Sequence, residues 1–135
     1  MTYTAHDPRL FYAPIVAQLA AATGKAIGEA AAPADVTTPY AVVYPLPDLG
    51  GEGPLTDPHQ VVVWGFQVTG VGRTMEEATW MQHKIRAALL GWAPTVAGLG
   101  TTPIHLDSGS GILRDADVAP PLFYSTDRFA VHTSA

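Results

Sequence analysis

The sequence predicts an α+β domain: a mostly antiparallel sheet of four to five strands with two main helices packed on one face. Three observations lead there. Gln60-Val61-Val62-Val63-Trp64-Gly65-Phe66-Gln67-Val68-Thr69 alternates as a strand does, with Val62, Trp64, Phe66 and Val68 pointing one way. Residues 74–90 open on a capping box and continue with apolar residues at helical spacing. The order of elements is helix, two or three strands, helix, two strands, with no repeat or linker to split the 135 residues, so one domain with one core is expected.

The first helix is expected to start near Phe11, because Pro14 inside a helix removes the hydrogen bond to Leu10 and is best placed in the first turn. Phe11, Ile15, Gln18, Leu19 and Ala22 then share a face, and Gly24 stops the helix. Lys25 to Ala32 reads as a short strand and Pro33 to Pro39 as a turn. Tyr40-Ala41-Val42-Val43-Tyr44-Pro45-Leu46 is a strand by its β-branched and aromatic content. Residues 45–58 hold four prolines and three glycines, which forbid a continuous helix or a central strand and make this a long loop. The loop is either a plain connection or a functional one.

The strand over 60–69 has a wholly apolar first face for the helices. Its second face starts apolar and ends polar, as on a partly covered sheet. In the second helix the Thr74 hydroxyl is expected to accept the Glu77 amide while the Glu77 carboxylate reaches back to Thr74. Ala78, Met81, Ile85, Ala88 and Leu89 form the core stripe and Gly91 ends the helix. Trp80, Ala87 and Leu90 lie on another face. A tryptophan left outside a core stripe is a candidate for contacting a partner chain. Beyond a Gly/Pro/Thr linker, Ile104 to Leu113 and Leu122 to His132 read as two more strands, joined by a turn over Asp115 to Pro121. Ser108-Gly109-Ser110-Gly111 is placed to bend or bulge the first of them.

Composition narrows the class. With no cysteine, the chain has no disulfide framework, thiolate metal site or cysteine nucleophile. Seven Lys and Arg against twelve Asp and Glu give −5, the wrong sign for an electrostatic grip on nucleic acid. Only 14% of residues are charged, against roughly 25% in soluble domains, which suggests apolar surface that a partner covers. No apolar run approaches the roughly 20 residues of a membrane span, and Met1-Thr2-Tyr3-Thr4 carries no signal pattern. Between Lys25 and Arg73 every charged residue is acidic: Glu29, Asp35, Asp48, Glu52 and Asp57. That window is either a solvated loop region or an acidic face that repels a passing polyanion.

Several catalytic patterns are approached and missed. Gly70-Val71-Gly72 follows a strand and precedes a helix, but a dinucleotide fingerprint needs glycine where Met75 stands, and Glu76 and Glu77 would repel a pyrophosphate. A tight turn is the simpler expectation. Around Ser110 a nucleophile elbow would need glycines at positions occupied by Ser108 and Ile112. His105 and Asp107 share a strand face without a third ligand, and His6, His59, His83 and His132 add no known metal spacing. No catalytic residue, metal ligand or cofactor is therefore assigned, and an enzyme is not expected.

The stretch Gln67-Val68-Thr69-Gly70-Val71-Gly72-Arg73-Thr74, continuing through Glu77-Ala78, Trp80-Met81, Ile85-Arg86 and Ala88-Leu89-Leu90-Gly91-Trp92, resembles the tail terminator proteins of long, flexible-tailed phages, particularly those of actinobacteria. The Tyr40–Pro47 strand, the loop with Leu55-Thr56-Asp57-Pro58 and the Asp127-Arg128-Phe129 segment are similar too, so the resemblance covers roughly residues 7–133. It implies a small subunit that forms a hexameric ring on the finished tail tube. Such a ring ends tube polymerisation, joins the tail to head connector proteins, and lets genome DNA pass through its lumen without specific binding. The expected place is the head-proximal end of a virion tail assembled in the bacterial cytoplasm, with no membrane involved and no cofactor.

On that reading Arg73, Trp80, Leu90 and Trp92 are candidates for subunit or partner contacts, Arg73 by pairing with a neighbour's carboxylate. Asp48, Glu52 and Asp57 are candidates for the lumen or tube side. A neck or head-completion ring protein, a generic oligomeric interaction module, and an enzyme with a polar pocket are the alternatives. The enzyme predicts a monomer or dimer.

Overall fold

The computed structural model of the chain describes residues 8–33, 37–46, 51–52, 61–96 and 100–134. Its elements are α1 (Pro8–Thr23), β1 (Ile27–Glu29), β2 (Tyr40–Pro45), β3 (Gly51–Glu52), β4 (Val61–Gly72), α2 (Met75–Leu89), β5 (Gly100–Thr101), β6 (His105–Gly109), β7 (Leu113–Asp115) and β8 (Leu122–Ser134). The expected α+β class holds, with both helices on one face of the sheet. Among the described residues eight strand segments stand where four to five strands were expected. β8 explains the difference. It pairs with β4 from Phe123 to Ser134, and its other edge takes β5, β6 and β7 in succession. The segment expected as one strand from Ile104 to Leu113 is two, because the register shifts between Leu106 and Ser108 and the chain leaves the ladder before Leu113. Among the described residues the strands pair antiparallel except β1 with β2, which is parallel, and an isolated bridge between Leu90 and Ile104 is parallel too.

α1 begins at Pro8, ahead of the expected Phe11, and carries Pro14 in its interior. A proline there costs a helix about 3 kcal/mol. Phe11 and Tyr12, both buried, recover that cost, since burying large apolar side chains is worth about 1.5–3 kcal/mol each. The buried face comprises Phe11, Tyr12, Ile15 and Leu19. Ala22, expected on that face, is exposed. Gln18 is half-buried and its amide donates to the Ala88 carbonyl at 3.2 Å, tying α1 to α2. The helix stops as expected at Gly24, whose φ is +68°.

The core lies between the sheet and the helices. Trp64, Phe66 and Val68 of β4 point to it together with Phe129 and Val131 of β8 and Ala41 and Val43 of β2. Phe11 stacks on Trp64 at 5.2 Å and Phe66 on Phe129 at 5.4 Å. Buried polar atoms are paired: the Trp64 indole donates to Thr133 Oγ1 at 2.7 Å and the Tyr12 hydroxyl to the Gly65 carbonyl at 2.9 Å. The α2 residues buried in this core are Ala78, Met81, Ile85, Ala88 and Leu89, the full expected stripe.

Two local expectations change. Gly70-Val71-Gly72 is not a tight turn but the last part of β4. A Cβ on Gly72 would stand 2.5 Å from the Ala78 amide nitrogen, and one on Gly70 would meet Ile85 Cδ1 at 3.1 Å and Met81 Cγ at 3.2 Å. The glycines are there so that α2 can lie directly on the strand. In the capping box Thr74 Oγ1 accepts the Glu77 amide at 3.1 Å, but the Glu77 carboxylate accepts from the Arg73 amide rather than that of Thr74, also at 3.1 Å. The extended Thr74 backbone turns its own N–H away, leaving the preceding one in reach.

Candidate interaction surface

Trp80 stands on the outer side of α2, 38% exposed. The Nζ atoms of Lys25 and Lys84 lie 5.8 Å and 5.6 Å from its ring centroid, within cation–π range. Below it opens a groove of about 440 Å³ lined by Lys25, Pro39, Thr74, Glu76, Glu77 and Trp80. Arg73 is exposed in the short link between β4 and α2. Among the described residues its guanidinium has no hydrogen-bond or ion-pair partner, although its backbone amide is held by Glu77. These two candidates therefore share the N-terminal end of α2.

Leu90 and Trp92 sit at the other end, about 15 Å of helical rise from Trp80. Leu90 caps α2, is 40% exposed and bridges Ile104 through the backbone. Trp92 is half-buried against the main core, and its carbonyl accepts the Ile104 amide at 2.9 Å. The four candidates thus form two separate patches. Asp48 and Asp57 lie outside the described residues. Glu52 belongs to β3, a two-residue strand whose Glu52 pairs with Val61.

The outer face of the sheet departs from expectation. After Gln67 and Thr69, where it was to end polar, Val71 is apolar and buried with Tyr40 and Val42. Tyr44, Leu122 and Tyr124 pack around them, and Leu113, 47% exposed, continues the row because it is in register with Tyr124. A recess of about 230 Å³ opens there. Burial first, and the neighbouring Tyr44 second, push the Tyr40 phenol above its ordinary pKa. The signal for this cluster was present in the matching parity of Tyr40, Val71 and Tyr124, but the strand pairing that aligns them is a tertiary fact.

A second feature escaped sequence reasoning. Asp127 points inward from β8 and is 1% exposed, between α2 and the link that joins β6 to β7. Arg86 grips it with two bonds, Nε to Oδ2 at 2.9 Å and Nη2 to Oδ1 at 2.8 Å. The Gln82 amide donates to Oδ1 at 3.3 Å and to the Ser110 carbonyl at 3.0 Å. The hydrogen bonds that Arg86 donates to Asp127 raise its pKa above the ordinary value, against the lowering effect of burial. The clue was parity: Asp127 alternates with Phe129 and Val131, and a carboxylate on a core-facing position requires a cation.

Ser110 Oγ donates to the Gly111 carbonyl and accepts the Thr126 amide, each at 2.9 Å. His105 stacks on His132 with ring centroids 5.8 Å apart, while Asp107 is exposed. Among the described residues no three potential ligands converge on a metal position, and no helix is long and apolar enough to cross a membrane. Among the described residues the exposed large hydrophobic side chains are Leu10, Met75, Trp80, Leu90, Leu113 and Val118.

The class defined by this arrangement is a sheet-and-two-helix α+β domain with apolar, aromatic surface patches. Its fold is shared with a chain from the virion of a native gene transfer agent particle, at a TM-score of 0.71 and 14% identity, over 91% of this chain and 93% of that one. A second solved structure, of a protein without a descriptive name, matches at a TM-score of 0.59 and 15% identity, over 97% and 98% of the two chains. No protein-family model and no curated protein matches the sequence.

Proposed function

We propose that this chain is a virion structural protein that assembles as a ring, most simply a hexamer, on the end of a phage tail tube. There it stops tube polymerisation and joins the tail to head connector proteins. The observation that carries the reading is the fold likeness to the gene transfer agent virion chain, which spans nearly all of both chains. The resemblance of residues 67–92 to tail terminators supplies the finer role.

Capping is a binding function. One face of the subunit must fit the tube end, while another must fail to recruit a further tube subunit. Exposed Trp80, Leu90 and Leu113 are suited to such contacts, and the Arg73 guanidinium, without a partner among the described residues, is available for a neighbour's carboxylate. Asp48, Glu52 and Asp57 would face the lumen or the tube, where negative charge keeps DNA from adhering.

The test is electron microscopy of the purified chain alone and mixed with tail tubes. Six-fold rings at one tube end are the expected result. Binding to portal or adaptor rings in place of tubes would make it a neck protein, and a particle that ignores both would overturn the reading.

A further inference from the structure

We infer that the turn between β7 and β8 of one copy docks in the Trp80 groove of a second copy, a head-to-tail contact between opposite edges of the sheet. The inference rests on the part of the preceding reading in which copies of this chain assemble with each other.

Complementarity carries it. The groove is lined by a 38% exposed indole, Lys25 and the Glu76 and Glu77 side chains; Lys25 Nζ lies 5.8 Å from the indole centroid, and Lys84 Nζ, outside the lining, 5.6 Å from it. The turn presents Val118, 39% exposed, after exposed Asp117 and before exposed Pro120, with exposed Arg114 at its start. Val118 and Pro120 match the indole, Asp117 matches Lys25, and Arg114 matches Glu76 and Glu77. The Asp117 amide donates to Asp115 Oδ1 at 3.1 Å, which holds the backbone of the turn. Aromatic anchors carry much of an interface's affinity, and the charges around them set its register and on-rate.

Placement decides the symmetry. Lys25 precedes β1 and Pro39 precedes β2, so one wall of the groove lies at the β1 edge, the other being the first turns of α2. The turn leaves β7 at the far edge, beyond β2, β4 and β8, about four strand spacings of ~4.8 Å away. Both lie at the same end of the strands, because Tyr40 pairs with Val71, Val71 with Tyr124 and Tyr124 with Leu113. Donor and acceptor on opposite edges at one level give a heterologous contact, which closes into a ring or runs on as a filament, not a two-fold dimer.

The chain has no cysteine, so introduced thiols can be read without background. In the double variant Lys84→Cys with Val118→Cys, mild oxidation is expected to produce a ladder of multimers on a non-reducing gel, while each single variant gives none. Cross-linking of a single variant as strong as that of the double would mean like meets like and would overturn the head-to-tail contact. Light scattering that shows assembly without a ladder would place the contact elsewhere and leave the ring reading standing. A chain that stays monomeric and uncrosslinked at every concentration would overturn the contact, and tube-end binding, scored separately by microscopy, would then decide the capping role.

Charge reversal gives a second readout. Lys25→Glu should weaken association about tenfold, and adding Asp117→Lys should restore it. Both positions are exposed, so circular dichroism can confirm that each variant folds. Failure of the double variant to regain association would also overturn the inference.

Discussion

Replacing Arg86 by methionine tests the polar lock between α2 and β8. Asp127 is 1% exposed and takes both strong bonds from Arg86, at 2.9 Å and 2.8 Å, leaving only Gln82 at 3.3 Å once the guanidinium is gone. Breaking a buried pair from one side costs about 3–5 kcal/mol. The Arg86 side chain is itself 36% exposed, so water can reach part of the vacated space and the lower end, about 3 kcal/mol, applies. For a chain of 135 residues with an unfolding entropy of roughly 2.1 cal/mol/K per residue, that is a Tm lower by about 10 °C. Urea titration followed by circular dichroism measures the free energy, and a thermal melt the midpoint. The double variant Arg86→Met with Asp127→Leu removes the stranded carboxylate and should be more stable than Arg86→Met alone. A loss under about 1 kcal/mol for Arg86→Met, or a double variant whose losses simply add, would refute the reasoning.

Gly72→Ala places a methyl group 2.5 Å from the Ala78 nitrogen, on backbone that cannot rotate aside; the expected loss is about 1–3 kcal/mol by urea titration, and a neutral result would mean α2 is not seated on β4 as described. Thr74→Ala removes the N-cap acceptor of the Glu77 amide and should cost about 1 kcal/mol, with Thr74→Ser close to wild type. Tyr40 has a phenol pKa raised above 10.0 by burial, so in alkali the unfolded chain releases that proton before the folded one does. Stability from this group is complete below pH 10 and falls as pH rises past it. Urea midpoints between pH 9 and 11 should therefore decline less steeply in Tyr40→Phe than in wild type.

Where a segment's neighbours are local in sequence, the residues themselves specify the structure. The α2 stripe from Ala78 to Leu89, the stop at Gly24 and the alternation of Trp64, Phe66 and Val68 each follow from spacing along one element, and each holds. Trp80 was legible for the same reason: an indole outside its helix's apolar stripe has to face outward. What failed locally failed because a distant residue intervened. Pro14 sits inside α1 because Phe11 and Tyr12 find aromatic partners on β4. Gly70 and Gly72 look like a turn until α2 is laid across them.

The sequence by itself therefore determined the class, the two helices and the long strands, the inward stripe of α2, the inward alternation of Trp64, Phe66 and Val68 in β4, and the acidic window between Lys25 and Arg73, all properties of chemical type and period. Tertiary structure decided that β8 would serve one long strand and three short ones, that Arg86 would meet Asp127 across 41 residues of chain, and that Lys25 and Lys84 would converge on one indole. Those outcomes depend on which distant surfaces are brought within a few ångströms, and no periodicity along a single strand or helix encodes a distance between two of them.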